Sequence, residues 1–176
     1  MFCRYDGERV SLEEIHRFEN RPVTENGHLC WDIDELWEQM KIAISFGVFN
    51  GGFDAISIDT WGVDFGLLDK NGELVGKPVH YRDERTNGMP EEVYEKYSAE
   101  ELYMESGIQP MNINTIFQLY YLAKHEPNTI FRAEKMLMMP DLFAYLLTGN
   151  ARNEFTEATT SQLIDQKARG WNLRLI

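Results

Sequence analysis

The stretch Ile56-Ser57-Ile58-Asp59-Thr60-Trp61-Gly62-Val63-Asp64-Phe65-Gly66-Leu67-Leu68 places a short apolar run, then a loop with two carboxylates, an indole and a glycine, then a second apolar run. Ala55 to Ile58 is hemmed by turn residues, which predicts a strand buried on both faces. Just upstream, Asp32 followed three residues later by Glu35 reads as a capping box. Leu36, Trp37, Met40, Ala43 and Ile44 then recur at helical spacing until Asn50-Gly51-Gly52 stops the helix. A helix leading into a buried strand predicts an α/β crossover. In open α/β sheets ligands bind outside the carboxyl ends of strands, which is where the loop Asp59 to Asp64 falls.

Outward from that loop, Phe65 to Leu68 and Leu74 to Val79 flank Asp69-Lys70-Asn71-Gly72, a strong hairpin turn because Asn-Gly tolerates positive φ. Towards the N-terminus, Phe2 to Tyr5 and an extended run from Glu8 to Phe18 predict a hairpin about Asp6-Gly7, followed by a polar loop carrying Asn20, Pro22, Asn26 and Gly27. From Thr86 onward the pattern becomes helical. The helices are predicted over Pro90 to Tyr97, after Ser98 with Glu101 at the capping-box position, over Thr115 to His125, and from Pro140 to Leu147 with Gly149 as the stop. Met136 to Met139 is a short apolar run. No internal repeat or domain boundary is evident, so 176 residues are read as one unit.

Composition excludes several classes. Hydrophobic residues make up 43% and charged residues 26%, an ordinary globular profile rather than a disordered one. The net charge of −12 repels phosphate backbones and anionic headgroups, which argues against nucleic acid and membrane surfaces as partners. Much of the excess sits in Glu91, Glu92, Glu95, Glu100, Glu101 and Glu105, read as a solvated helical face. Cys3 and Cys30 are too few for a disulfide framework, which fits a reducing compartment. No leader and no run approaching about 18 apolar residues is present, so the expected location is cytoplasmic.

Chemical motifs are sparse. Neither Gly-x-x-x-x-Gly-Lys-Ser/Thr nor Gly-x-Gly-x-x-Gly occurs, and there is no Gly-x-Ser-x-Gly elbow. His28 with Cys30 has metal-ligand spacing, but no second pair completes a zinc set, so no metal site is expected. The loop itself remains. Asp59 and Asp64 can accept hydrogen bonds from hydroxyls, Trp61 offers a flat apolar face, and Gly62 admits close approach to main chain, which together suit a polyol. The competing reading makes Asp59 a turn cap and Trp61 core. Tyr81-Arg82-Asp83-Glu84-Arg85 is a second candidate, with a surface ion-pair network as its alternative.

Taken in order, these segments resemble the rhamnulokinase group of the FGGY-type carbohydrate kinase family, which has the actin-like, ribonuclease-H-like ATPase fold. The resemblance runs collinearly through Glu14-Ile15-His16-Arg17-Phe18, Trp31-Asp32-Ile33-Asp34, Ile58 to Phe65, Tyr81-Arg82-Asp83 with Arg85-Thr86, and Ser106-Gly107-Ile108-Gln109. It continues through Asn114-Thr115 with Gln118-Leu119, Met139-Pro140-Asp141, Leu147-Thr148-Gly149, and Ala158-Thr159-Thr160 with Gln162-Leu163. The resemblance implies an α/β lobe with a mixed β-sheet and flanking helices. It implies that Gly62 contacts L-rhamnulose, with Trp61, Asp59 and Asp64 as wall or supporting residues and Arg82 and Asp83 behind them. The implied reaction is transfer of the ATP γ-phosphoryl group to the ketose 1-hydroxyl in rhamnose catabolism, with Mg. A kinase of another ketose, such as fuculose or xylulose, and a catalytically dead sugar-binding domain are the alternatives.

The departures from that family bear on activity. Its first strand and the Asp-x-Gly-x-x-x-x-Arg turn that grips ATP phosphates have no counterpart here, since Met1 to Tyr5 corresponds to the strand that follows. Its second lobe, with the nucleotide pocket and the catalytic aspartate, has none either. The expectation is therefore a partial N-terminal lobe over residues 1–176 with no catalytic residue of its own, no kinase activity alone, and ladder edges left unpaired between Met1 to Tyr5 and Ala55 to Ile58.

Overall fold

The computed structural model describes residues 1–176. Two hairpins open it. Phe2–Tyr5 (β1) pairs antiparallel with Val10–Glu13 (β2), and Val23–Glu25 (β3) with His28–Cys30 (β4). The second hairpin turns at Asn26-Gly27, with φ of 51° and 87°, so the stretch expected to be a polar loop is a tight hairpin of the Asn-Gly kind. The extended run expected from Glu8 to Phe18 is shorter, because only Val10–Glu13 finds ladder partners.

Helix α1 (Ile33–Phe49) carries the expected apolar face, with Leu36 buried and Trp37 and Met40 packed on the same cluster. Its capping box does not form. Asp32 is the N-cap without a side-chain bond to the helix, and its carboxylate instead takes the Lys77 ammonium at 3.0 Å. An ion pair to a distant loop has replaced the local cap.

Phe65–Leu68 (β5) is buried along its whole length and pairs antiparallel with Lys135–Met138 (β6), Phe65 opposite Met138. The expected partner, Leu74 to Val79, makes only single bridges, Leu74 to Leu68 and Val79 to Cys30. The Asp69 to Gly72 turn is as read: Asp69 accepts from the Asn71 and Glu73 N–H groups at 2.8 and 3.0 Å. After it come α2 (Met89–Tyr94), α3 (Ala99–Ser106), α4 (Thr115–His125), α5 (Pro127–Arg132), α6 (Met139–Thr148) and α7 (Phe155–Thr159), then the short pair β7 (Ile164–Asp165) and β8 (Gly170–Trp171). Ser98 and Glu101 form the predicted capping box on α3, and Gly149 ends α6 in the left-handed conformation at φ 72°. Pro127 lies just beyond the end of α4 and starts α5, as proline at the first helical position permits.

The class is α/β, with its strands in four two-stranded antiparallel pairs rather than one mixed sheet. The reason lies at Ala55 to Ile58. That run is not a strand and not buried on both faces; Ile56 is 46% exposed, and no residue from Phe53 to Trp61 makes a main-chain to main-chain hydrogen bond. It borders an apolar groove of about 610 Å³, with Phe2 and Cys3 of β1 across from it and Met40, Ala43, Ile44 and Gly47 of α1 along it. β1 is paired on one side only. Both ladder edges expected to lack a partner therefore face the same slot.

The core centres on Trp31, Leu36, Leu68, Leu137, Met139 and Leu142, which join α1, β5, β6 and α6. Phe117 and Leu102, both fully buried, anchor a second cluster under α2, α3 and α4. The loop Asp59 to Asp64 lies between them, joined to the first cluster through Trp61 and to α4 and α7 through hydrogen bonds.

Candidate functional site

Asp64 organises the loop from beneath. It is fully buried at the start of β5, and its Oδ2 accepts from Trp31 Nε1 (2.6 Å), Trp61 Nε1 (3.0 Å) and the Tyr81 N–H (3.1 Å). Its Oδ1 accepts from Gln118 Nε2 at 3.1 Å, and Gln118 Oε1 in turn accepts from the buried Arg85 guanidinium at 2.6 Å. Burial pushes this carboxyl up from 3.8 to about 6, against the pull of those donors. Burial likewise lowers the pKa of Arg85. The sequence reading made Asp64 an acceptor for ligand hydroxyls. The structure corrects this, because protein donors occupy its oxygens and no part of it reaches the surface.

Above Asp64 the two indoles form a platform. Trp31 and Trp61 lie with ring centroids 4.1 Å apart, and His80 stacks on the other indole neighbour, Trp31, at 3.9 Å and 18°. Trp61 is half-buried, so the same ring belongs to the core and offers a face to the loop surface. Gly62 is there because there is no room for anything larger: a Cβ would stand 2.9 Å from Thr160 Cβ and Cγ2. Asp59 is exposed and makes no side-chain hydrogen bond, so it does not cap a turn.

Arg82 and Asp83 part company. Asp83 accepts from the Leu29 N–H (2.7 Å), the Arg85 N–H (3.0 Å) and His28 Nδ1 (3.0 Å), tying β4 to the turn that follows Tyr81. Burial raises its carboxyl, but these donors more than offset that and its pKa is lowered. Arg82 is exposed and lies over the Tyr81 ring, 5.3 Å from its centroid. Neither side chain pairs with the other, so the segment is a structural tie rather than a surface ion-pair network. His28 bonds Asp83 and Glu126, and no group of three His, Cys, Asp or Glu side chains lies close enough to hold a metal ion.

A buried carboxyl, Asp141, and a half-buried one, Glu157, stand near the loop. Asp141 accepts from the Glu154 N–H at 3.1 Å through one oxygen, while its Oδ2 and Glu157 Oε1 receive no donor. Burial raises both pKa values, and for Glu157 the negative charges of Asp141 and Asp59 add to it. Sequence reasoning gave no role to these acids, nor to Trp31, Gln118 and Thr160. For Trp31, Gln118, Asp141 and Thr160 the only signal is membership in the collinear segments, and Glu157 has none, since long-range contacts leave no local pattern.

The fold is that of sugar and polyol kinases. Gluconate kinase from Lactobacillus acidophilus superimposes with a TM-score of 0.81 at 18% identity, over 89% of this chain and 32% of that one. Plasmodium falciparum glycerol kinase with ADP superimposes at 0.72 and 16% identity, over 93% of this chain and 36% of that one. These likenesses fix the actin-like ATPase fold alone. The chain belongs to the FGGY family of carbohydrate kinases: residues 7–176 match that family's N-terminal domain. It is 44% identical over 170 residues to a rhamnulokinase of Halalkalibacterium halodurans and 45% identical to one of Oceanobacillus iheyensis, covering 96% of this chain in each case. The chain spans 36% of the length of those relatives. No helix is long and apolar enough to cross a membrane.

Proposed function

We propose that this chain is the partial N-terminal, sugar-binding lobe of an ATP-dependent L-rhamnulose kinase acting in the cytoplasm. The observation that carries this is the loop Asp59 to Asp64: a glycine wedged against Thr160, flanked by a half-buried indole and an exposed carboxylate, in a chain 44% identical to a rhamnulokinase. Gly62 presents main chain to the ketose and Trp61 covers its apolar edge. Asp59 accepts hydrogen bonds from the ketose hydroxyls. Asp64 acts through the two indoles rather than by contact, and Asp83 acts through β4; Arg82 stands at the rim.

Phosphoryl transfer needs a held triphosphate with its metal and an oriented hydroxyl. The residues of this chain suit only the second. With no glycine-rich phosphate loop and no acid cluster for a cation, ATP and Mg are assigned to other parts of the kinase, and the partner of this lobe is its nucleotide-binding lobe. The reading is tested by isothermal titration of the chain with L-rhamnulose, L-fuculose, D-xylulose and glycerol. Preference for L-rhamnulose supports it. Equal binding of all four, or of none, refutes the assignment of this loop to that ketose.

A further inference from the structure

The loop is locked at one residue. Val63 has φ of 66°, a region that a β-branched residue rarely enters, and the Asp64 N–H donates to the Gly62 carbonyl at 2.9 Å, closing a γ-turn on Val63. Both main-chain groups of Val63 are gripped by side chains from other elements. Its N–H donates to Thr160 Oγ1 at 2.9 Å, and its carbonyl accepts from Thr115 Oγ1 at 2.6 Å and from Gln118 Nε2 at 3.2 Å. The Thr160 hydroxyl donates to the Glu157 carbonyl at 2.8 Å, so its proton points into α7 and its lone pair is left for Val63. Thr115 is fully buried, and Thr160 is half-buried behind Gly62. Strained backbone persists only where its surroundings over-determine it, and here a hydroxyl holds each side of the strained residue.

We infer that Thr160 and Thr115 are positioning residues for the ketose: by holding Val63 at positive φ they set the direction in which Gly62 and Trp61 face the sugar. The inference rests on the assignment of the loop as the sugar floor. Thr160 acts through Val63 and not by touching the sugar, because its donor and its acceptor are both engaged within the protein.

The test compares the 176-residue chain with T160V, T160S and the double variant V63G/T160V, by titration with L-rhamnulose and by amide exchange at Val63. Valine keeps the shape of threonine and removes both hydrogen bonds. T160V is expected to speed Val63 exchange and weaken sugar binding by about tenfold, the scale of one lost hydrogen bond. T160S keeps the hydroxyl and stays close to the parent chain. V63G restores affinity in the T160V background, because glycine takes positive φ without a clamp. Undiminished affinity in T160V overturns the inference. So does a loss that V63G does not restore, which would mean direct contact with the sugar. Should circular dichroism show T160V unfolded, T115V, which releases the Val63 carbonyl, carries the same comparison with V63G/T115V. If the parent chain binds no ketose, the sugar assignment fails and the inference with it. Val63 exchange unchanged in T160V removes the clamp whatever the sugar does.

Discussion

Replacing Asp64 by asparagine separates the cost of burying a charge from the value of the hydrogen bonds it accepts. In the folded chain the Asp64 carboxyl titrates near 6 against an ordinary 3.8, burial being the main cause. A folded pKa above the unfolded one means that the native state binds the extra proton between roughly pH 4 and 6, so this group's contribution to stability rises as pH falls through that window and is lost as pH rises. The full amplitude is about 3 kcal/mol, of which about 1.4 kcal/mol develops between pH 7.5 and pH 5. Asparagine does not titrate. It can keep its oxygen towards Trp31, Trp61 and Tyr81, but its amide then meets Gln118 Nε2, whose own oxygen is committed to Arg85. That donor clash adds a pH-independent penalty of about 1–3 kcal/mol. Urea unfolding followed by tryptophan fluorescence at pH 5, 6 and 7.5 should therefore show the stability of D64N relative to the parent improving by about 1.4 kcal/mol from pH 5 to pH 7.5. A carboxyl-carbon NMR titration reads the same group directly. A flat stability difference, or an Asp64 that titrates below about 4, would refute the account of the loop's foundation as a charge held against its own desolvation.

Three further outcomes follow from the same geometry. Gly62→Ala should lower the melting temperature by several degrees and abolish ketose binding, since its Cβ would meet Thr160 at 2.9 Å and the loss is on the order of 1–3 kcal/mol; an unchanged melt would show that the wall behind Gly62 yields. The chain alone should turn over no ATP in the presence of L-rhamnulose, and phosphorylated ketose above a no-protein blank would contradict the assignment of catalysis to another lobe. It should also self-associate at high concentration, given one-sided β1 and the unpaired run beside it; sedimentation showing a monomer at every concentration would sink that expectation.

Elements specified by neighbours in sequence were legible before any coordinates. The Ser98–Glu101 capping box, the Thr115–His125 helix with Pro127 behind it, and the Gly149 stop depend on contacts within one turn, and each stands where the pattern placed it. Elements that depend on a distant partner were not. Lys77 displaced the Asp32 cap from 45 residues away, and β6 rather than Leu74 to Val79 supplied the ladder to Phe65–Leu68. The site divides the same way. Trp61 and Gly62 could be singled out because an indole and a glycine after an apolar run are unusual in themselves. The burial of Asp64 and the roles of Gln118 and Thr160 could not, because hydrogen bonds spanning 54 and 97 residues leave no trace in local spacing.

The absence of main-chain pairing from Phe53 to Trp61 divides the candidate sugar loop internally. Gly62, Val63 and Asp64 are fixed by α4, α7 and the buried core, whereas Asp59 hangs from a run whose ladder groups have no partner. Whatever comes to lie in the groove beside that run would place Asp59 without disturbing Gly62. The loop would then have two independent settings, one built into the lobe and one supplied from outside it. The preference among ketoses expected of the chain alone would belong to the first, and the second would add to it through Asp59.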